Sequence, residues 1–259
     1  MDLGISGRKA IVCASSRGLG RACAQALAEA GCEVVINGRD GKALAATAAE
    51  LGQITGARVI AVAADVATPD GQKALLAACL QPDILINNNA GPPLRDFREL
   101  TRQQMIDGVT ANMIVAVELI QKVIDPMLAR RFGRIVNITS GAVKAPLAGL
   151  DLSSGARAGL TAFLAGVART VADRNVTINN LLPGAFDTDR LRATIGKLAE
   201  AKGIPLEQAA SARAASIPAK RFGAPAEFGA AAAFLCSAQA GYITGQNLLI
   251  DGSIFSGAF

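Results

Sequence analysis

A glycine-bearing turn near the start of the chain has residues that could bind a phosphate. It follows an apolar run at 10–13 and consists of Ala14-Ser15-Ser16-Arg17-Gly18-Leu19-Gly20. Ser15 and Ser16 are suited to begin a helix, and Gly18 and Gly20 allow a ligand to approach the backbone closely. A helix that begins here presents unpaired N–H groups and the positive end of its dipole to an anion. In a strand–turn–helix unit the natural anion is the pyrophosphate of a dinucleotide.

The turn departs from a three-glycine dinucleotide fingerprint at its first position. Ala14 stands where that fingerprint has glycine, so the pattern is Ala-x-x-x-Gly-x-Gly. Two glycines alone support an ordinary strand–helix turn and a nucleotide site about equally. Residues elsewhere in the chain must decide between the two.

Two arginines indicate which dinucleotide the turn would bind. Arg39 follows the second predicted strand, where an acidic residue would hold a ribose 2′-hydroxyl. An arginine there suits a 2′-phosphate, and Arg17 in the turn adds a second cation. The alternative for each is a solvated surface arginine. Together they favour NADP(H) over NAD(H). After the third strand, Asp65 either accepts from the adenine amino group or caps a helix, and Val66 is predicted to line the same site.

Strands and helices alternate along the whole chain, and this order positions the polar clusters. Strands are predicted at 10–13, 33–37, 58–63, 83–86, 133–138, 176–182 and 247–250, and helices at 19–30, 42–51, 70–80, 101–131, 153–175 and 226–236. This alternation predicts an α/β fold with one domain at 1–259, a doubly wound, Rossmann-like parallel sheet of seven strands with helices on both faces. The ligand then lies along the carboxyl ends of the strands.

The spacing of apolar residues also predicts which helical side chains are buried, and it marks one segment where no long regular helix is expected. On the two long helices the inward residues are predicted to be Met105, Val109, Met113, Val117, Ile120 and Ile124, and Leu160, Phe163, Leu164, Val167 and Val171. Periodicity is weakest from about 187 to 225. We expect short helices there that form a mobile lid over the site.

Composition and charge exclude several classes of protein. A hydrophobic fraction of 51% with 18% charged residues excludes disorder, and no apolar run has the length of a membrane span. The net charge of +5 is spread along the chain with few aromatic residues, so nucleic-acid binding is not expected. Histidine is absent, which removes the commonest transition-metal ligand, and no metal site is predicted. Five scattered cysteines and a start unlike a signal peptide favour a cytoplasmic protein.

Several motifs occur in a fixed order along the chain. They are the turn Ala14-Ser15-Ser16-Arg17-Gly18-Leu19-Gly20, then Asn88-Asn89-Ala90-Gly91, Gly133-Arg134-Ile135-Val136-Asn137-Ile138-Thr139-Ser140, Asn179-Asn180-Leu181-Leu182-Pro183-Gly184, Ile243-Thr244-Gly245-Gln246-Asn247 and Asp251-Gly252. With these motifs the chain resembles the short-chain dehydrogenase/reductase family, in the subgroup that looks like 3-oxoacyl-[acyl-carrier-protein] reductases. The resemblance extends from Gly7 to Asp251.

The resemblance implies an Asn–Ser–Tyr–Lys tetrad for hydride transfer, with Asn112 and Ser140 in its first two places. In that scheme serine polarises the substrate carbonyl, tyrosine supplies the proton, lysine lowers the tyrosine pKa and holds the ribose, and asparagine anchors a water relay. The tyrosine should come thirteen residues after Ser140 and the lysine four residues later, but these positions hold Ser153 and Arg157. Arg157 can still bond ribose hydroxyls, whereas its permanent charge cannot relay a proton.

Several groups are candidates to replace the missing acid. Lys144 lies in the loop after Ser140, and a desolvated lysine beside Arg157 would have a lowered pKa. The alternative is that Lys144 is a surface residue. Asp151 and Asp187 are further candidates, and Ser140 and Ser153 could instead order a water that donates the proton.

The remaining expectations also come from the resemblance. Asn89, Ala90 and Gly91 belong to the predicted cofactor site, and so do Pro183, Gly184, Phe186 and Thr188, the last two holding the nicotinamide carboxamide. The single tyrosine, Tyr242, is expected in the core or at a subunit contact. The sequence thus predicts an NADP(H)-dependent oxidoreductase acting on a carbonyl, with 3-oxoacyl as a candidate, or on an alcohol, assembled as a homotetramer. The alternative is a catalytically silent NADP(H)-binding sensor or partner subunit.

Overall fold

A single parallel sheet forms the centre of the protein. The computed structural model describes residues 2–92 and 94–257. The strands are β1 (Lys9–Val12), β2 (Glu33–Gly38), β3 (Val59–Ala63), β4 (Ile84–Asn87), β5 (Gly133–Ile138), β6 (Val176–Pro183) and β7 (Asn247–Ile250). They pair in the order β3-β2-β1-β4-β5-β6-β7, all parallel. The predicted seven-stranded, doubly wound sheet is confirmed.

Helices cover both faces of this sheet. They are α1 (Gly18–Glu29), α2 (Gly41–Thr55), α3 (Pro69–Ala77), α4 (Arg102–Val109), α5 (Val115–Arg130), α6 (Asp151–Val171), α7 (Asp189–Lys202), α8 (Leu206–Ala215) and α9 (Pro225–Leu235). Each face has its own apolar core, one built around α1 and α9 and the other around α5 and α6. From β1 the chain adds strands toward one edge of the sheet, as β2 and β3, and then returns to add β4 to β7 on the other side of β1. A ligand crevice is expected where this order reverses, at the carboxyl ends of β1 and β4.

The helix predicted at 101–131 is interrupted by a turn of π-helix, Thr110–Ile114, between α4 and α5. The predicted apolar face is therefore wrong in part. Met105 lies before the π turn and is 44% exposed, whereas α5 buries Val115, Leu119 and Val123. One extra residue per turn changes the direction of every side chain that follows it, so a single helical period cannot describe both segments.

One further burial prediction is wrong, and one of the two places expected for Tyr242 is excluded. Phe163 on α6 is 47% exposed, because the buried side of that helix runs through Leu160, Leu164 and Ala168, and Phe163 points away from it. Tyr242 is fully exposed in the single chain and is not a core residue. A subunit contact for Tyr242 stays a prediction.

The segment from 187 to 225 is helical, as expected, and α7 and α8 pack on each other through Ile195, Ala199 and Ala209. That it moves as a lid stays a prediction. Among the described residues, every helix is too short or too polar to cross a membrane.

Candidate functional site

The glycine-bearing turn connects β1 to α1 and is held in shape by β4. Ala14 adopts a left-handed backbone conformation with φ of 45°, which alanine rarely takes. Its carbonyl oxygen accepts a hydrogen bond of 3.1 Å from Nδ2 of Asn88, just beyond β4. A Cβ on Gly20 would collide with the same Ala14 carbonyl. The turn therefore tolerates alanine at its first position but requires glycine at its last.

The two serines of the turn have structural roles. Ser15 is fully buried, and its Oγ donates to the Val12 carbonyl over 2.7 Å and accepts from the Asn37 N–H over 3.0 Å. Ser16 is half-buried, and its carbonyl accepts from Oγ1 of Thr47 over 2.9 Å. These bonds fix the end of β1 against β2 and α2. The Ser15 side chain is thus unavailable to a ligand.

The first turn of α1 is suited to hold an anion. Its N-cap residue is Arg17, which makes no capping bond through its side chain, and the first turn contains no acidic residue. The amide groups at this helix end are therefore open to a ligand. Leu19 lies in the same turn, and a Cβ on Gly18 would be 3.8 Å from Cγ2 of Thr188 at the start of α7. The anion site is thus bounded by α1 on one side and α7 on the other.

Arg17 and Arg39 are exposed at the ends of β1 and β2. Within residues 2–92 and 94–257, no carboxylate forms a salt bridge with either guanidinium. After β3, Oδ1 of Asp65 accepts from the Ala67 N–H over 2.9 Å, and Val66 is buried. Exposed arginines after neighbouring strands suit a phosphate on a ribose, and Asp65 is held in the turn that leads to α3.

The segment after β4 forms the wall between the two halves of the crevice. Nδ2 of Asn89 donates to the Ala111 carbonyl over 3.3 Å, and its Oδ1 accepts from the Ala90 N–H over 2.8 Å. Asn112 lies in the π turn, is buried, and donates from Nδ2 to the Gly108 carbonyl over 3.1 Å. π turns inside α-helices frequently occur at functional sites.

A small cavity of about 20 Å³ lies beneath this wall, among Asn87, Asn112, Asn137 and Arg157. The side-chain oxygens of Asn87 and Asn112 are buried and accept no hydrogen bond from the described residues. Buried amide oxygens almost always have a polar partner, and the cavity has room for one water. Asn112 is therefore placed to hold a water next to Arg157.

Ser140, Ser153 and Arg157 come together at the carboxyl end of β5. Oγ of Ser140 accepts from the Ala142 N–H over 3.1 Å and so caps the short 3₁₀ turn that follows β5. Oγ of Ser153 accepts from Nε of Arg157 over 3.3 Å, and Nη1 of Arg157 donates to the Ile138 carbonyl over 2.8 Å. Each hydroxyl hydrogen remains available to a further acceptor.

Arg157 is a buried cation, with 7% of its surface exposed. Burial lowers the pKa of its guanidinium to about 10, and the nearby positive charge of Arg190 contributes to the same change. Arginine at that pKa is still fully charged at neutral pH, so Arg157 is a permanent cation in the site and a very poor proton donor.

Arg190 belongs to this site and was missed in the sequence. It lies in the first turn of α7, two residues after Thr188, and its guanidinium crosses the crevice to the Asn88–Gly91 segment. A Cβ on Gly91 would be only 2.9 Å from Nη2 of Arg190. The sequence signal that could have indicated Arg190 is the glycine at position 91, which leaves room for a long side chain from the start of the helical segment at 187–225.

The proposed replacements for the acid do not fit the structure. Lys144 ends the short 3₁₀ turn after Ser140, and its side chain is exposed, so the expected desolvation is wrong. Asp151 is exposed and accepts from the Gly149 N–H over 3.1 Å. Arg192 binds both carboxylate oxygens of Asp187, at 2.8 and 3.0 Å, and these bonds lower the pKa of Asp187. Asp187 is therefore held in its ionised form and is a poor proton donor at neutral pH.

The residues after β6 form the floor beside α7. The Gly184 N–H donates to the Ile250 carbonyl over 2.8 Å, which ties the Pro183–Gly184 turn to β7. Phe186 is buried and packs edge-on against Phe228 at 5.2 Å. Thr188 caps α7 by accepting from the Leu191 N–H over 3.4 Å. This turn therefore holds Thr188 and the start of α7 at the crevice.

Comparisons with known proteins agree with this geometry. A family model described as Enoyl-(Acyl carrier protein) reductase matches residues 13–253. The 3-oxoacyl-[acyl-carrier-protein] reductase FabG of Vibrio cholerae is 31% identical over 98% of this chain and 99% of its own length. The NADPH-dependent reductase BacG of Bacillus subtilis is 31% identical, over 96% and 98%. The crystal structure of L-sorbose reductase from Gluconobacter frateurii with NADPH and L-sorbose has a TM-score of 0.94 at 30% identity, covering 99% of this chain and 100% of that one.

Proposed function

The chain belongs to the short-chain dehydrogenase/reductase family of oxidoreductases, and from that premise we propose that it is an NADP(H)-dependent carbonyl reductase that works without the family's tyrosine. The observation that carries the cofactor assignment is the open end of α1 together with Arg17 and Arg39. These groups offer one binding place to a pyrophosphate and another to a 2′-phosphate. NADPH, when bound, supplies the hydride for the reduction.

Three side chains would act on the substrate oxygen. Ser140 and Ser153 each have a hydroxyl hydrogen left to donate, since their oxygens already accept bonds from Ala142 N and Arg157 Nε. Arg157 adds a fixed positive charge beside them. Hydrogen-bond donors and charges that are already in place stabilise negative charge on a carbonyl oxygen as it develops. The three groups therefore serve as an oxyanion site.

Water would supply the proton. A serine hydroxyl and water are acids of similar weakness, but a water exchanges with solvent and so renews its proton, whereas Arg157 holds its proton too tightly to replace a tyrosine. The cavity beside Asn112 offers a water a place next to Arg157. Ser140 and Ser153 would orient such a water toward the substrate oxygen. The cost of this arrangement is a slower proton transfer than a positioned acid gives.

The finer expectations rest on likeness to relatives. FabG of Vibrio cholerae is a 3-oxoacyl-[acyl-carrier-protein] reductase by name, and a 3-oxoacyl substrate is a candidate for this chain on that ground. Oxidation of an alcohol, a homotetramer and a cytoplasmic location also stay predictions.

A second function is favoured by one observation, the presence of Ser153 and Arg157 where the family has tyrosine and lysine. A protein that binds NADP(H) without turnover, as a sensor or partner subunit, would tolerate both changes. The two functions agree on cofactor binding and differ on hydride transfer.

The test is hydride transfer from NADPH deuterated at the transferable position of C4. The purified protein is incubated with a panel of oxo acids, ketones and 3-oxoacyl thioesters, and the alcohols formed are analysed for deuterium by mass spectrometry. We expect one deuterium in the product and a loss of at least about 100-fold in kcat for Ser153→Ala, which removes one oxyanion donor. NADPH binding without any deuterated product would establish the silent protein instead.

Ser154→Ala is the matched control. Ser154 is as buried as its neighbour, but its Oγ donates to the Leu150 carbonyl over 2.9 Å within the same helix. We expect its kcat to stay within about threefold of the wild type, as for a substitution away from the reacting atoms. Equal losses in both variants would contradict the role given to Ser153.

A further inference from the structure

Two guanidinium groups reach the carboxyl edge of the sheet from different helices. Arg157 comes from α6 and lies behind β5, and Arg190 comes from α7 and lies against Gly91 after β4. Within residues 2–92 and 94–257, neither one forms a salt bridge with a carboxylate. Arg157 is buried and Arg190 is exposed, so the site contains one buried and one solvent-facing positive charge, neither with a carboxylate partner among the described residues.

The acidic residues nearest in sequence do not neutralise Arg190. Arg192 binds both oxygens of Asp187, at 2.8 and 3.0 Å, and the pair faces the groove between α7 and α1. Asp189 forms no salt bridge with any arginine of the described chain. The positive charge of Arg190 is felt at Arg157, where it lowers the pKa of the guanidinium.

An anion would stabilise this arrangement at Arg157. Burying a cation is costly when no opposite charge accompanies it, and a second cation nearby raises that cost. Planar guanidinium groups bind carboxylates and phosphates through paired N–H donors. An oxyanion on a ligand would therefore suit the buried Arg157 and the exposed Arg190 together.

The phosphates of the cofactor already have other partners in the proposed function. The pyrophosphate would lie at the open end of α1, and the 2′-phosphate would lie beside Arg17 and Arg39. Arg157 instead contacts Ser153, next to the place proposed for the substrate oxygen. An anionic group on the substrate would account for the two remaining charges.

We propose that Arg157 and Arg190 bind the carboxylate of the substrate, so that the protein reduces an oxo acid whose free carboxylate lies next to the reacting carbonyl. This inference rests on the proposed function. The thioester of a carrier protein has no negative charge at that place and would leave both cations unpaired. A 2-oxo or 3-oxo acid has its carboxylate one or two bonds from the carbonyl carbon, close enough for Arg157 to contact both groups.

The proposed step balances as an ordinary carbonyl reduction. A hydride with its two electrons forms the new C–H bond at the carbonyl carbon, and NADPH becomes NADP⁺. The electron pair of the C=O π bond moves to oxygen, which takes one proton from water and gives the hydroxy acid. The carboxylate is unchanged and serves only to hold the substrate.

The test compares each acid with its methyl ester, which has the same carbonyl and no charge. The probes are 2-oxobutanoate and 3-oxobutanoate with their methyl esters, assayed by NADPH oxidation. We expect kcat/KM for the preferred acid to exceed that for its ester by about 100-fold, the discrimination that a paired guanidinium–carboxylate contact gives. Equal values for acid and ester would overturn the proposal.

Arg190→Met tests the role of the second cation. We expect kcat/KM for the acid to fall about 100-fold while that for the ester changes by less than about threefold. Arg190→Lys should recover part of the loss, because it restores the charge without the planar fork. Arg192→Met is the matched control on the same helix and should retain the preference for the acid, since Arg192 is paired with Asp187.

NADPH affinity, measured by fluorescence titration in the same variants, separates the two sources of oxyanion. If Arg190→Met weakens NADPH binding and leaves the ratio of acid to ester unchanged, Arg190 binds the cofactor pyrophosphate and the proposal is wrong. Calorimetry with 2-oxobutanoate and 3-oxobutanoate, with and without NADP⁺, gives a readout that does not need turnover. Binding of either acid that is lost in Arg190→Met, without NADPH oxidation, would support the carboxylate site and refute the reductase.

Discussion

Replacing Arg157 by methionine should leave the stability of the free protein nearly unchanged, although Arg157 is one of the most buried charged residues. A pKa lowered to about 10 means that keeping the charge in the folded protein costs about 3 kcal/mol, at about 1.4 kcal/mol for each tenfold change in proton affinity. Methionine removes that cost. It also removes the bonds to the Ile138 carbonyl and Ser153 Oγ, which at about 1.5 kcal/mol each, the low end for a charged group, contribute about 3 kcal/mol together.

Arg134→Met is the control. Arg134 is even more buried and its pKa is also lowered by burial, but it makes four hydrogen bonds, to the carbonyls of Ser237, Gly133 and Asn175 and to Oδ1 of Asn175. Its guanidinium also lies 4.4 Å from the Phe132 ring centre. We expect a loss of at least about 3 kcal/mol in Arg134→Met, against a change within about 1 kcal/mol in Arg157→Met.

Urea unfolding followed by circular dichroism measures both differences at neutral pH. Since the folded protein holds the Arg157 proton less tightly than the unfolded chain does, the wild type should gain stability relative to Arg157→Met as the pH rises above about 10. A loss of 3 kcal/mol or more in Arg157→Met would refute the reasoning, because it would mean that the buried charge is already well paired without a ligand.

Three further predictions concern the turn and the loop. Ala14→Gly should raise the free energy of unfolding by about 1 kcal/mol, because glycine takes a φ of 45° without strain. Urea unfolding measures this difference, and a loss of stability would contradict a left-handed conformation at Ala14. Arg39→Asp should lower NADPH affinity about 10- to 100-fold in fluorescence titration and leave NADH affinity unchanged or higher, and equal losses for both cofactors would remove Arg39 from the 2′-phosphate site. Lys144→Ala should keep kcat within about twofold of the wild type in steady-state assays, since its side chain is exposed, whereas a large loss would restore Lys144 as the acid.

The fold could be predicted from the sequence because buried parallel strands appear as short apolar runs separated by helical patterns. The strand ends were predicted within one or two residues, and they placed Asn89, Ser140 and Thr188 on one edge of the sheet. The π turn at Thr110–Ile114 could not be predicted in this way. It is set by how α4 and α5 pack around Asn112 and α6, and a change in helical period has no compositional signal of its own.

The chemistry of the site could be predicted only in part. The sequence shows that serine and arginine stand at 153 and 157 in place of tyrosine and lysine. It does not show which way the Arg157 side chain points. An arginine usually lies at the surface, whereas Arg157 points inward to the Ile138 carbonyl. Arg190 was missed because its one trace in the sequence, the lack of a side chain at Gly91, has a meaning only once α7 is known to lie over that glycine. The burial expected for Lys144 was wrong because the sequence does not show the path of the loop after Ser140, and so it does not show which way the Lys144 side chain points.

The most direct test of the central claim is a calorimetric titration of the wild-type protein with NADPH and, separately, with NADH. We expect saturable heat with NADPH and a dissociation constant at least about tenfold lower than for NADH, because Arg17 and Arg39 would contact the 2′-phosphate. Absence of binding heat with both cofactors, or equal affinity for the two, would contradict the claim that the carboxyl edge of this sheet binds a phosphorylated dinucleotide.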